Sequence, residues 1–236
     1  MRRLAAILCI AALPSLADTD DFVEANLLSI FYHELGHAMI DTMELPVFGQ
    51  EEDAADVASI LLIDELFVEE DAISIAYDAA FGFLGEAEAA EEEGYGVAWW
   101  DVHGPDLQRY YNLVCLFAGA DMSSREDIAE ELGLPEDRLE TCEEEHELAI
   151  GSWGPVFDDM AKSAPADSFV YTGGSGTLTE RLIGAEVEAL NLDFALPTPL
   201  KITVESCDEP NAFYDPNTDE IIMCSELEDW LRELAP

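Results

Sequence analysis

One pentapeptide restricts this 236-residue chain more than any other feature in it: His33-Glu34-Leu35-Gly36-His37. It lies within residues 21–43, where apolar side chains recur at steps of three and four, the repeat of an amphipathic helix. Residues four apart share one helix face, so both imidazoles can reach a single Zn2+, with the Glu34 carboxylate beside them. A catalytic centre built this way needs a third ligand and an open fourth position. After a turn through Leu45-Pro46-Val47-Phe48-Gly49 the chain offers Glu51, Glu52 and, four residues beyond Glu52, Asp56. Glu52 and Asp56 are again on one face. A solvated helix start favoured by the macrodipole would account for Glu51 and Asp53, but not for the two histidines.

The ends and the cysteines set the compartment. Met1-Arg2-Arg3 is basic, residues 4–13 are almost wholly apolar, and Pro14-Ser15-Leu16-Ala17 follows, with small residues at the two positions a signal peptidase reads. This is the layout of a signal peptide over residues 1–17, cleaved after Ala17, and the apolar run is too short for a membrane anchor. A secreted or periplasmic protein is expected, with no stable membrane association after cleavage. Cys9 leaves with the signal, and four cysteines remain. In an oxidising compartment they suggest two disulfides, with three possible pairings. Cys207 and Cys224 flank a stretch that reads as a β-hairpin and are paired, leaving Cys115 with Cys142. No CxxC pair supports a four-thiolate zinc site.

Charge excludes some partners. Nine Lys and Arg stand against 53 Asp and Glu, a formal charge of −44 at pH 7. Phosphate-rich partners meet like charge, so no nucleic acid is expected, and anionic membranes are disfavoured. Disorder is argued against by 49% hydrophobic residues with 4 Trp, 7 Tyr and 11 Phe.

The pattern along the chain is helix-dominated α+β. Helices are expected over 21–43, 50–68, 71–90, 107–117, 125–132 and 135–150, with a loop over 91–104 holding Trp99, Trp100 and His103. Residues 161–168 are small, polar and proline-bearing, as in a linker. Beyond it strands are expected at 169–172, 201–206, 212–214 and 220–224, and helices at 178–190 and 225–234. The mature chain, 18–236, is thus read as one domain: a helical catalytic part over 18–160, the linker, and a strand and hairpin part over 169–236 that completes the cleft. The Asp215-Pro216-Asn217-Thr218-Asp219 run is read as a hairpin turn, because Glu220 stands where a calcium loop needs glycine.

The Glu52 and Asp56 arrangement resembles that of the gluzincins. The resemblance implies that Glu52 binds zinc with His33 and His37, and that Asp56 holds one ligating imidazole, a role that fixes its tautomer and raises its basicity. Glu51 is the competing third ligand; the register with Asp56 favours Glu52. The run Phe31 to Ala38, the run Leu45 to Asp56, Asp101-Val102-His103-Gly104, Gln108-Arg109-Tyr110-Tyr111-Asn112-Leu113 and Leu134-Pro135 through Cys142 resemble a bacterial family of zinc metallopeptidases catalogued as a domain of unknown function. With the C-terminal third, the likeness spans nearly all of the mature chain and implies a zincin-like fold and peptide hydrolysis. In that family the segment resembling Cys207 to Cys224 precedes the HExxH helix, so this chain resembles a circular permutation of it. A permuted chain should bring its last helix near the start of the HExxH helix and the hairpin near the metal.

The hairpin is similar to the edge strand of neprilysin-like peptidases, which implies substrate backbone binding at Asn211 and Ala212; Asn211 could equally shape a tight turn. His103 is a candidate oxyanion donor, with Arg109 and Tyr110 or Tyr111 as alternatives and a buttress for the aromatic loop as the other role for His103. His146 is expected on a solvated helix. Together these readings describe a secreted zinc metallopeptidase. His33, His37 and Glu52 hold one zinc, Glu34 assists attack of a zinc-bound water on a peptide or protein substrate, and Asp56 orients one imidazole. The alternatives are a non-catalytic zinc-stabilised binding module and a zinc hydrolase acting on a non-peptide amide or ester.

Overall fold

The computed structural model describes residues 16–164 and 166–236. The expected signal peptide lies outside them except for its last two residues. The chain runs α1 (Leu16–Thr42), α2 (Glu51–Leu66), α3 (Glu69–Glu92), α4 (Asp106–Ala120), α5 (Met122–Glu131), α6 (Glu136–Leu139), α7 (Cys142–Lys162), β1 (Phe169–Tyr171), α8 (Leu178–Asp193), β2 (Leu200–Glu205), β3 (Ala212–Asp215), β4 (Glu220–Cys224) and α9 (Glu226–Leu234). It is helix-dominated with one small sheet, an α+β protein.

The first helix is the spine of the molecule. Val23, Leu27, Phe31, Tyr32, Leu35, Ala38 and Met39 are all fully buried, and α1 packs against α2, α3, α8, α9, β3 and β4. The sequence reads as amphipathic there, yet the helix is covered on nearly every side, as an element apolar most of the way round must be. Polar residues on such a helix are held deliberately: Tyr32 donates to the Glu186 carboxylate of α8, and Asn26 donates to the Phe22 and Asp78 carbonyls at 2.9 and 3.0 Å.

The sheet has the order β1-β2-β4-β3. β1, β2 and β4 are parallel, with Phe169 beside Leu200 and Ile202 beside Ile221; β3 runs antiparallel to β4, pairing Phe213 with Ile222, and forms an edge. Helix α8 makes the crossover from β1 to β2. It is started by a capping box in which Thr177 accepts from the Glu180 N–H and Glu180 accepts from that of Thr177. The turn at 215–219 closes on Asp215, whose side chain accepts from the Asn217 N–H at 2.9 Å.

Both expected disulfides are present. Cys115–Cys142 ties α4 to the start of α7 with an S–S distance of 2.05 Å, and Cys207–Cys224 joins the entrance of the hairpin to the end of β4 at 2.01 Å. One helix is misjudged from sequence. The stretch 135–150 divides into the single turn α6 and a longer α7 that continues through Pro155 to Lys162. The hydrogen bond that proline forfeits falls at Gly151, which is exposed, and Trp153, Phe157 and Met160 are buried, so packing outweighs the break. The linker therefore begins two residues later than its composition suggests.

Candidate metal centre

Two helices build the site because they come unusually close. A Cβ placed on Gly36 would stand 2.9 Å from the Ala55 Cα, so glycine at this position lets α2 lie directly on the face of α1 that carries the histidines. The Nε2 atoms of His33 and His37 lie 3.2 Å apart, and both point at the Glu52 Oε2, at 3.2 and 3.0 Å. Donors about 2.1 Å from a tetrahedral zinc ion stand about 3.4 Å from one another. Two imidazole nitrogens and a carboxylate oxygen at this spacing match both the chemistry and the size that zinc takes.

Each imidazole has its outer nitrogen held by a carboxylate. The Asp56 Oδ1 is 2.7 Å from the His33 Nδ1, and the Glu51 Oε1 is 2.9 Å from the His37 Nδ1. Glu51 thus occupies a position equivalent to that of Asp56, one that spacing arguments missed by treating it only as a rival ligand. Behind Asp56 lies Arg109, whose Nε and Nη2 donate to the two Asp56 oxygens, each at 2.8 Å, while its guanidinium covers the Phe83 ring at 4.4 Å. Such a fork fixes the carboxylate and, through it, the His33 ring.

Electrostatics follow from that packing. Burial works against a charged His33, but the Asp56 and Glu52 carboxylates outweigh it and hold the ring up at about 9. Glu52 is held well below the usual carboxylate range by His103, then by His33 and His37. Burial also opposes the charged form of Asp56, yet Arg109 and His33 keep it far below its ordinary value. Against burial, Glu52 and Glu51 raise the His37 ring as well. A metal ion bound by these imidazoles must therefore displace their protons, and its affinity is expected to rise with pH by about tenfold per pH unit for each proton exchanged. Calorimetric titrations in buffers of different ionisation enthalpy measure that release; an affinity independent of pH between about 6 and 8 would contradict it.

Glu34 lines a cleft of about 1070 Å³ together with His33, His37 and Glu52. Its side chain is buried, and the Tyr214 main-chain N–H on β3 donates to it. Burial raises its pKa, partly offset by His33 and His37.

Residues 11–156 and 175–235 match the profile of a family described as "Putative metallopeptidase". The chain belongs to this metallopeptidase family. No curated protein and no solved structure matches it.

In this metallopeptidase the remaining candidate residues divide between the cleft and the core. His103 lies on the cleft wall with its Nε2 2.9 Å from the Glu52 Oε2, and with His33 and Glu52 it forms a group close enough to hold an ion. Asn211 and Ala212 line the cleft at the start of β3, but the Asn211 Oδ1 accepts from the Ala212 N–H at 2.9 Å, which shapes the turn and occupies that donor. Arg109 lines the cleft from behind Asp56 with its fork already engaged, so it acts on the site through Asp56 rather than through a substrate. Tyr110 does not belong to the cleft: it is buried, and its hydroxyl donates to the Leu132 carbonyl at 2.5 Å, because it sits on the core face of α4. His146 is half-buried on α7.

Proposed function

We propose that this metallopeptidase is a secreted, gluzincin-type zinc enzyme that hydrolyses peptide bonds. The observation that carries the reading is the meeting of the His33, His37 and Glu52 donor atoms within 3.2 Å of one another with Glu34 beside them. A purely structural site has no use for Glu34. Bound zinc supplies Lewis acidity and a water of near-neutral pKa. Glu34 takes a proton from the attacking water at its carboxylate and delivers it to the leaving amine. Burial gives that carboxyl a raised pKa, which suits both halves of the transfer. Asp56 and Glu51 hold the two imidazoles in one tautomer, and Arg109 holds Asp56. His103, on the cleft wall, serves as donor to charge developing on the scissile carbonyl oxygen when it gives up its contact with Glu52.

Secretion is supported by the N-terminal layout and by two disulfides; among the described residues no helix is long and apolar enough to cross a membrane. One domain is supported by β3, which reaches from the C-terminal part to Glu34. Chain order is read as a circular permutation. Its support is the Arg232 Nη1, 2.5 Å from the Asp20 Oδ1, which puts the end of α9 at the start of α1. Removal of metal by a chelator is expected to abolish peptide cleavage, and one equivalent of zinc to restore it. Cleavage that persists in metal-free protein would reject the proposal.

A further inference from the structure

Among the described residues of this strongly acidic protein, exposed apolar side chains concentrate in one loop, and it adjoins the cleft. Between α3 and α4, Tyr95, Val97, Trp99, Trp100 and Val102 are 70, 48, 80, 86 and 60% exposed. Aromatic side chains of this size bury 150–250 Å² when covered, so leaving two tryptophans in water forgoes a large contact. The loop that carries them is fastened at both ends. Gly94, with φ +78°, ends α3, and the Tyr95 N–H donates to the Ala90 carbonyl at 2.9 Å. At the other end His103 meets Glu52, and its own N–H donates to the Asp101 Oδ1 at 3.2 Å. The exposed rings are therefore presented from a tethered segment rather than a frayed one.

Position decides what the loop faces. Val102 and His103 line the cleft, and Phe213 of β3 lines it from the sheet edge. A chain advances at most about 3.6 Å per residue, so the Trp100 Cα is no more than roughly 7 Å from that of Val102. A ligand side chain leaving the cleft beside Val102 is therefore within a side chain's reach of the segment that carries the two exposed indoles. The charge in the cleft narrows the choice further. Asp41, Glu44, Glu51 and Glu86 also line it, and Arg109, the one Lys or Arg among its lining residues, is occupied by Asp56. An acidic peptide side chain has no counterpart there.

We propose that the loop over residues 93–105 selects substrate by holding a bulky apolar side chain of a non-acidic peptide lying in the cleft. This rests on the peptidase reading above and names the class of peptide it takes. A membrane surface is the other natural partner of exposed tryptophans, but the segment that carries them continues into the cleft wall at Val102 and His103, and the test separates the two.

The probes are three internally quenched decapeptides of Ala, Gly and Ser that differ only in carrying Phe, Ala or Glu at one central position. With the zinc-loaded protein, kcat/KM is expected to be highest for the Phe peptide and lowest for the Glu peptide. The double variant Trp99→Ala/Trp100→Ala is expected to keep its zinc and to lose roughly tenfold or more on the Phe peptide, with little change on the Ala peptide. Tryptophan emission of Glu34→Gln, titrated with the same peptides, reads the contact without turnover and should shift with the Phe peptide alone. Equal kcat/KM for the three peptides, or a double variant that loses the Phe and Ala peptides alike, would overturn the inference and leave the peptidase reading standing. If no peptide is cut while emission still shifts with the Phe peptide, the peptidase reading fails and the binding inference survives. In sedimentation with phosphatidylcholine vesicles the protein should remain in solution. Co-sedimentation that the double variant loses, with peptide preference unchanged, would assign the loop to membranes and overturn the inference.

Discussion

Glu34→Gln is expected to leave one zinc per chain and to lower peptide hydrolysis by roughly 10³-fold, the scale of a positioned general acid–base. The side chain is buried beside the donor cluster, and its environment is set from both sides of the cleft: α1 carries it, and the Tyr214 N–H of β3 donates to it. Glutamine keeps the shape and still offers an oxygen to that N–H, but it cannot take a proton. Loss of rate with metal retained therefore separates proton transfer from metal binding. The wild type carries a related signature. Burial raises the Glu34 pKa, so the fraction ionised as a base grows as pH rises through that raised value, and kcat/KM should climb with it. Metal analysis with kinetics on a peptide library checks the variant; turnover within tenfold of wild type would remove Glu34 from the chemistry.

Arg125→Ala is expected to destabilise the fold by about 3 kcal/mol while leaving the zinc site loaded. Arg125 is 3% exposed, and its Nε and Nη2 donate to the Glu69 carboxylate at 3.0 and 2.6 Å, while Nη1 donates to the Phe117 carbonyl at 2.9 Å. Its Nη2 also lies 2.6 Å from the Asp64 Oδ1, a contact of charge rather than a directed hydrogen bond. The guanidinium covers the Phe117 ring at 4.0 Å. Removing it leaves the Phe117 carbonyl buried without this donor and Asp64 at the end of α2 without its counterion, which costs more than the pair contributed. Denaturant unfolding measures the change. A loss under about 0.5 kcal/mol, the range of an ordinary surface substitution, would contradict it.

Much of the site was legible because its logic is local. His33 and His37 are four apart on one helix, as are Glu52 and Asp56, and a single turn separates the two helices; spacing alone places such residues on facing surfaces. The hairpin and its disulfide were legible for the same reason. Contacts set by packing were not. Arg109 and Asp56 are 53 positions apart, and nothing in the residues around Arg109 says that its fork is spent on Asp56. Tyr110, its neighbour, looks equally available in the sequence, yet the turn of α4 sends it into the core. Glu51 looked like a competitor for the metal because the geometry of the outer imidazole nitrogen depends on how closely α2 approaches α1, and that rests on Gly36. In α7, Pro155 and two glycines suggest an end, while burial of Trp153, Phe157 and Met160 carries the helix past them. The parallel order of β1, β2 and β4 likewise depends on where α8 packs.

Zinc content of three purified proteins tests the centre most directly. Wild type should hold one zinc per chain after exhaustive dialysis. Glu51→Ala, which loses only the partner of the His37 Nδ1, should still bind one zinc, with affinity reduced about 10- to 100-fold. Glu52→Ala should retain none under the same conditions. Full zinc in Glu52→Ala together with none in Glu51→Ala would show that the third ligand is Glu51, and would contradict the centre built from His33, His37 and Glu52.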